Sequence, residues 1–255
     1  MTRLPEDFLR RPIAHRALHD VVQGRAENSP AAIAAAINAG YGIEIDLQLS
    51  ADGQAIVFHD YDLTRLTGEP GPIQRRTAED LGRITLLGGT DTVPTLRQVL
   101  DQVAGQVPLL IEIKDQDGVM GANVGKLEAA AAAALQGYDG PVALMSFNPH
   151  SVLKMAILCP DIPRGLTTSS YTQEDWKLLP KGIRDRLRDI PDYDHTGSCF
   201  ISHEANDLNR PRVTDLKRRG AAVLCWTIRS PEAEAEARKI AQNVTFEGYL
   251  ADNPA

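Results

Sequence analysis

In this chain of 255 residues His15-Arg16 and His59-Asp60 each set an imidazole next to a charged neighbour, and Glu44/Asp46 and Glu112/Lys114 are charged residues spaced two apart. Residues two apart on a β-strand project from one face, so Glu44 and Asp46 are expected to point one way while Ile43, Ile45 and Leu47 point the other. The same alternation sets Glu112 and Lys114 against Ile111 and Ile113. Three carboxylates converging inside a core lose hydration and repel one another, which raises their pKa values. Buried ion pairs with Arg16 and Lys114 are one resolution, although burying several charges for stability alone is costly. A hard divalent cation is the other, and an all-oxygen donor set suits Mg²⁺ or Ca²⁺ better than Zn²⁺. His15 and His59 beside such a metal can act as general acid and base near neutral pH. Arg16 and Lys114 supply charge for an anionic group. Together these groups describe phosphoryl transfer better than glycoside hydrolysis or redox chemistry.

The elements that must position these residues alternate along the whole chain. Eight β-rich runs, at 11–16, 42–49, 109–114, 142–147, 164–168, 199–204, 222–228 and 247–252, are separated by helical stretches. Helices are predicted at 29–38, 95–103, 123–136, 149–159, 173–179, 210–219 and 231–243. Asn28 before Ser29-Pro30, then Asn148-Pro149 and Ser230-Pro231, are start signals, while Gly40, Gly137 and Gly220 mark stops. This pattern predicts an α/β fold, a (β/α)₈ TIM barrel formed by residues 1–255 as a single domain. Such barrels carry their sites at the C-terminal strand ends, where the charged residues above fall. After the second strand, Ser50-Ala51-Asp52-Gly53 reads as a hairpin turn and 55–60 as an extra strand pairing back. Residues 61–94, rich in Gly, Pro and Thr with a weak helix near 77–81, read as a small insertion, and 181–198 as a charged surface loop with a helical turn.

Composition excludes other classes. A net charge of −7 without a basic run leaves no electrostatic footprint for nucleic acid. No stretch approaches a membrane span and residues 1–11 lack a signal-peptide core, so a cytoplasmic location without stable membrane association is expected. Cys159, Cys199 and Cys225 lack metal-knuckle spacing and read as buried free thiols.

The order His15-Arg16, Glu27-Asn28, Glu44-Ile45-Asp46, His59-Asp60, Glu112-Ile113-Lys114 and Trp226-Thr227 resembles the glycerophosphodiester phosphodiesterases from residue 11 to about 254. The resemblance implies a distorted (β/α)₈ barrel that hydrolyses a small-molecule glycerophosphodiester to sn-glycerol 3-phosphate and an alcohol. It makes Glu44, Asp46 and Glu112 the ligands of one divalent cation, Mg²⁺ or Ca²⁺. His15 and His59 become the acid/base pair, with His59 favoured as base and His15 as acid. Arg16 and Lys114 would hold phosphate oxygens, and Trp226 would wall the glycerol moiety. Glu27 matches a carboxylate near the metal, as an additional ligand or as support for one.

The chain departs from that pattern in several places. Ala17 stands where glycine usually follows the His-Arg pair, a longer segment 18–26 comes next, Arg229 replaces a common Asn, and the ending reads Ala251-Asp252-Asn253-Pro254. If that glycine has φ > 0, the loop is expected to be rebuilt around Ala17. Phe147 is read as core or site wall, His203 as a substrate contact or a satisfied loop residue, and His150 and His195 as surface. Two alternatives stand beside the main reading: a related barrel phosphodiesterase acting on a phospholipid or sugar phosphodiester, and a non-catalytic phosphate-ester-binding barrel. The leaving alcohol and the oligomeric state stay open.

Overall fold

The computed structural model describes residues 2–252, so Met1 and the Asn253-Pro254 ending lie outside the described residues. Its strands are β1 (Ile13–Ala14), β2 (Gly42–Leu49), β3 (Ala55–Val57), β4 (Leu109–Ile113), β5 (Val142–Ser146), β6 (Arg164–Thr168), β7 (Phe200–Glu204), β8 (Ala222–Ile228) and β9 (Asn243–Phe246). Eight of them run parallel in the ring order β1-β2-β4-β5-β6-β7-β8-β9, and β1 closes the ring by pairing with both β2 and β9. The predicted TIM barrel is therefore the observed fold. β1 pairs with β2 at Gly42 and Ile43. The Glu44 carbonyl next takes the Ala17 N–H, and beyond it β3 lies along the edge of β2 antiparallel, pairing Val57 with Leu47.

The helices are α1 (Asp7–Arg10), α2 (Pro30–Ala39), α3 (Thr64–Thr67), α4 (Ala78–Leu81), α5 (Leu96–Val103), α6 (Lys126–Leu135), α7 (Pro149–Leu158), α8 (Lys181–Arg188), α9 (Pro211–Arg218) and α10 (Pro231–Ala237). Ser29 caps α2 through the Ala32 N–H and Asn148 caps α7 through the His150 N–H, each followed by proline as the first-turn chemistry requires. Outward-facing Ile43, Ile45, Leu47, Ile111 and Ile113 pack in one core with Ile33 of α2 and Val99 and Leu100 of α5. A second cluster joins Leu4 and Phe8 to Ile13, Leu110, Phe200 and Leu224. Leu110 shares its face with Glu112 and stands opposite Glu44, so this cluster fills the barrel interior beneath Asp46 and Glu112. The stretch after β3 builds a small apolar cluster of its own around Phe58, Leu63, Ile73 and Leu81. No described helix is long and apolar enough to cross a membrane.

The structure moves several predicted elements. The last strand is Asn243–Phe246 instead of 247–252, because Gly248 at φ 78 breaks the extended backbone inside the predicted run. The helix expected at 173–179 is a set of turns, since the Thr172 hydroxyl accepts the Asp175 N–H and Pro180 starts the helix afresh. α8 thus occupies the start of the segment read as a surface loop, with Arg184 and Leu187 buried. The first strand shortens from 11–16 to two residues because Arg16 and Ala17 have φ 52 and 64. Ala17 therefore takes the left-handed turn itself, with a Cβ on it. Of the cysteines only Cys225 is buried, while Cys159 and Cys199 are partly exposed.

A Cβ on Gly165 of β6 would meet the Phe200 ring at 2.5 Å and the Phe200 carbonyl oxygen at 2.6 Å. Gly165→Ala is expected to lower the unfolding free energy by about 2 kcal/mol, as overpacking against a fixed backbone does. The midpoint of urea denaturation checks it, and an unchanged midpoint would show that β6 and β7 can separate locally at little cost.

Candidate active site

Parallel pairing of β2 with β4 sets Asp46 opposite Glu112, and two-residue alternation brings Glu44 to the same interior face. All three are buried, and one carboxylate oxygen from each lies within 4.8 Å of the others. The Lys114 Nζ donates to Asp46 Oδ1 at 2.8 Å and to Glu112 Oε1 at 2.7 Å. Asn28 Nδ2 donates to Asp46 Oδ2 at 3.0 Å, and Arg16 Nε lies 3.7 Å from the same oxygen. The left-handed turn at Arg16 aims its backbone N–H at Glu44 Oε2, 2.9 Å away.

These contacts divide the charge unevenly. Burial, reinforced by the charges of Asp46 and Glu112, pushes the Glu44 carboxyl well above the usual carboxylate range. Burial also works against Asp46, but Lys114, His59 and Arg16 overcome it and hold that carboxyl well below its usual range. Desolvation of Lys114 is likewise outweighed by Asp46 and Glu112, so its ammonium is more basic than usual. A buried, all-oxygen set in which one carboxyl resists ionisation fits a hard divalent cation, whose charge would let all three ionise.

Each histidine is held by a carboxylate. His15 Nδ1 donates to Glu247 Oε2 at 2.6 Å, while Arg229 Nε donates to Glu247 Oε1 at 2.8 Å. His59 Nδ1 donates to Asp60 Oδ1 at 2.7 Å, and Arg65 Nε donates to Asp60 Oδ2 at 2.6 Å. In both rings Nε2 is left for a substrate. Burial lowers the basicity of His15, opposed by its hydrogen bond to Glu247. Glu247 itself is held well below the carboxylate range by its hydrogen bond to His15, with His19 Nε2 3.6 Å away and Arg229 beside it.

A cavity of about 180 Å³ opens above this cluster, lined by His15, Arg16, Glu44, His59, Glu112 and Lys114 on one side. Phe147 and Trp226, in edge-to-face contact with centroids 5.5 Å apart, form the opposite wall. Thr167, Ser202 and Thr245 also contribute to the lining, and their hydroxyls are buried without protein partners. Asp46 sits behind the lining, bonded to Lys114 and Asn28. Glu27 stands apart from the three carboxylates: it accepts from Arg16 at 2.9 Å and from Arg65 at 2.8 Å, and these pairs hold its carboxyl low against burial. His203 is fully buried between Thr168 and Asp207, which makes it a satisfied core residue. His150 and His195 are exposed.

Sequence reasoning missed Glu247, Arg229 and Arg65. Glu247 was detectable in principle, because placing the last strand four residues earlier puts it at that strand's C-terminal end. Arg65 lies in the insertion, where no periodicity marks an inward-facing position.

The sequence model described as "Glycerophosphoryl diester phosphodiesterase family" matches residues 15–255. The YhdW protein of Bacillus subtilis (strain 168) is 26% identical over 252 residues, 95% of this chain and 94% of its own length. A glycerophosphodiester phosphodiesterase of Caldanaerobacter subterraneus subsp. tengcongensis is 28% identical over 176 residues, 65% of this chain and 70% of its own. Among solved structures, an Oleispira antarctica phosphodiesterase in complex with its product sn-glycerol 3-phosphate superposes with a TM-score of 0.76 at 24% identity, covering 94% of this chain and 93% of that one.

Glu247 raises the basicity of His15 against its burial, so removing that carboxylate has a defined sign. In Glu247→Gln the His15 imidazole is expected to titrate at lower pH than in the parent protein. Turnover is expected to fall on the order of tenfold to hundredfold, part of what acid–base catalysis supplies. Imidazole NMR titration checks the first outcome; an unmoved midpoint would show that Glu247 does not set the basicity of His15.

Proposed function

The chain belongs to the glycerophosphoryl diester phosphodiesterase family, and from that premise we propose that residues 1–255 form one catalytic domain that hydrolyses glycerophosphodiesters to sn-glycerol 3-phosphate and an alcohol. The observation that carries this reading is the buried cluster of Glu44, Asp46 and Glu112 beside two histidines, each fixed through Nδ1 by a carboxylate. The product bound to the Oleispira antarctica relative supports the same substrate class.

Glu44, Asp46 and Glu112 would hold one divalent cation, Mg²⁺ or Ca²⁺, which when bound supplies Lewis-acid polarisation of the phosphate. Arg16 and Lys114 line the cavity and offer positive charge to the remaining phosphate oxygens. His59 accepts a proton at Nε2 from the attacking oxygen, either water or the neighbouring glycerol hydroxyl by way of a cyclic phosphate. His15 returns a proton from Nε2 to the leaving alcohol oxygen. Its burial lowers its basicity, and a less basic imidazole is the readier donor once protonated. Asp60 and Glu247 keep both rings oriented and balance the charge of whichever ring is protonated. Phe147 and Trp226 wall the space for the glycerol carbons.

His15→Ala and His59→Ala are each expected to lower glycerol 3-phosphate release from glycerophosphocholine by a hundredfold or more, with unchanged circular dichroism. Chelation should abolish release, and Mg²⁺ or Ca²⁺ should restore it. Near-normal rates in both variants, or release that survives complete metal removal, would overturn the mechanism.

A further inference from the structure

The loop between β1 and α2 and the insertion after β3 are stitched together by glycines. A Cβ on Gly89 would lie 2.6 Å from the Gly24 carbonyl, and one on Gly88 would lie 3.0 Å from the Val21 side chain. Along this seam runs a groove of about 360 Å³ with apolar walls of Val21, Ala26, Leu66 and Leu87. Val21 is 61% exposed and Leu87 54%, so the walls carry large aliphatic side chains held in water. One end of the groove holds His19, Glu27 and Arg65.

Each of these three touches the catalytic cluster. His19 Nε2 is 3.6 Å from the Glu247 oxygen that orients His15, Glu27 accepts from Arg16, and Arg65 donates to the Asp60 that orients His59. The groove and the cavity share no lining residue, but the Arg16–Glu27 pair and the Arg65–Asp60–His59 chain of contacts set the groove beside the cavity's histidine side. Its permanent charges are paired, Arg65 with Glu27 and Asp60, and His19 Nε2 faces Glu247 at 3.6 Å. Such an end offers little to a cationic or zwitterionic headgroup. The cavity itself, at about 180 Å³, is below the roughly 300 Å³ at which sites for larger organic ligands begin. It encloses a glycerol phosphate and leaves an extended alcohol outside.

We propose that this groove is a subsite for the leaving alcohol and that the chain acts on glycerophosphodiesters whose alcohol ends in a hydrocarbon chain. The inference rests on the phosphodiesterase reading and adds the substrate class. The retained glycerol phosphate occupies the cavity, the alcohol oxygen lies at the histidines, and the chain runs between Val21 and Leu87. Small alcohols such as choline are released without reaching the apolar walls.

The test is kcat/KM for sn-glycero-3-phospho-n-alkanols from ethyl to octyl, held below their micelle concentrations, in the parent protein and in a Val21→Ser/Leu87→Ser double variant. Both positions are exposed and outside the catalytic machinery, and glycerophosphocholine turnover serves as the control for an intact site. In the parent protein kcat/KM is expected to rise about twofold per added methylene, mainly through KM, which is less than the roughly fourfold of complete burial because the groove is open on one side. The double variant should lose that slope and keep its rate on glycerophosphocholine. A flat series in the parent protein, an equal slope in the variant, or a rise seen only with phosphatidylcholine vesicles present would overturn the subsite. Failure to cleave any diester, glycerophosphocholine included, would instead sink the phosphodiesterase reading and the subsite with it.

Discussion

Glu44, Asp46 and Glu112 force three carboxylates into one buried space, and the rest of the site answers that repulsion. Two unit charges 4.8 Å apart at an effective dielectric of about 20 repel by roughly 3 kcal/mol. Lys114 bridges Asp46 and Glu112, Arg16 approaches Asp46, and Asn28 takes the Asp46 oxygen that Lys114 does not. Glu44 is left with a backbone N–H as its bonded partner, and its carboxyl is the one driven above the ordinary range. The cluster is short of positive charge at the point where all three carboxylates meet. A barrel core built only for stability would place apolar side chains here, as it does beneath Asp46 and Glu112 with Leu110, Phe200 and Leu224.

The barrel makes this charge density tolerable by making it rigid. Pairing Asp46 with Glu112 across adjacent parallel strands fixes their separation, and the outward-facing Ile43, Ile45, Ile111 and Ile113 anchor the same strands in the apolar layer against the helices. At the end of β1 the backbone turns left-handed through Arg16 and Ala17, at a cost of order 1–3 kcal/mol for each non-glycine residue. That turn delivers the Arg16 N–H to Glu44 and the Ala17 N–H to the Glu44 carbonyl. Function is thus written into a strained corner that the surrounding strands hold in place.

Much of this was legible in the sequence because strand alternation is a strict rule. Glu44/Asp46 and Glu112/Lys114 each read as one inward face, and the paired β2 and β4 place them so. What escaped depended on contacts remote along the chain. In the sequence the last strand reads four residues late, because Glu247-Gly248-Tyr249 looks extended until Gly248 takes its positive φ. That error hid Glu247, whose partner His15 is 232 residues away. Arg65 escaped for a different reason: it sits in a four-residue helix with no inward period, and only the folded insertion carries it to Glu27 and Asp60. Glu27 illustrates the converse, a motif carboxylate that the structure gives to two arginines and not to the three-carboxylate cluster.

The two histidines are built on one plan, an imidazole whose Nδ1 meets a carboxylate that an arginine also binds: His15, Glu247 and Arg229, and His59, Asp60 and Arg65. In both, the carboxylate is held well below its ordinary range, so it stays charged and can stabilise an imidazolium without taking its proton. What separates the pair is burial, with the His15 side chain 14% exposed and that of His59 29%. Desolvation penalises the charged form of the more enclosed ring. Around His15 that burial outweighs the hydrogen bond to Glu247 and lowers the basicity of the ring, which suits it to return a proton to the leaving oxygen.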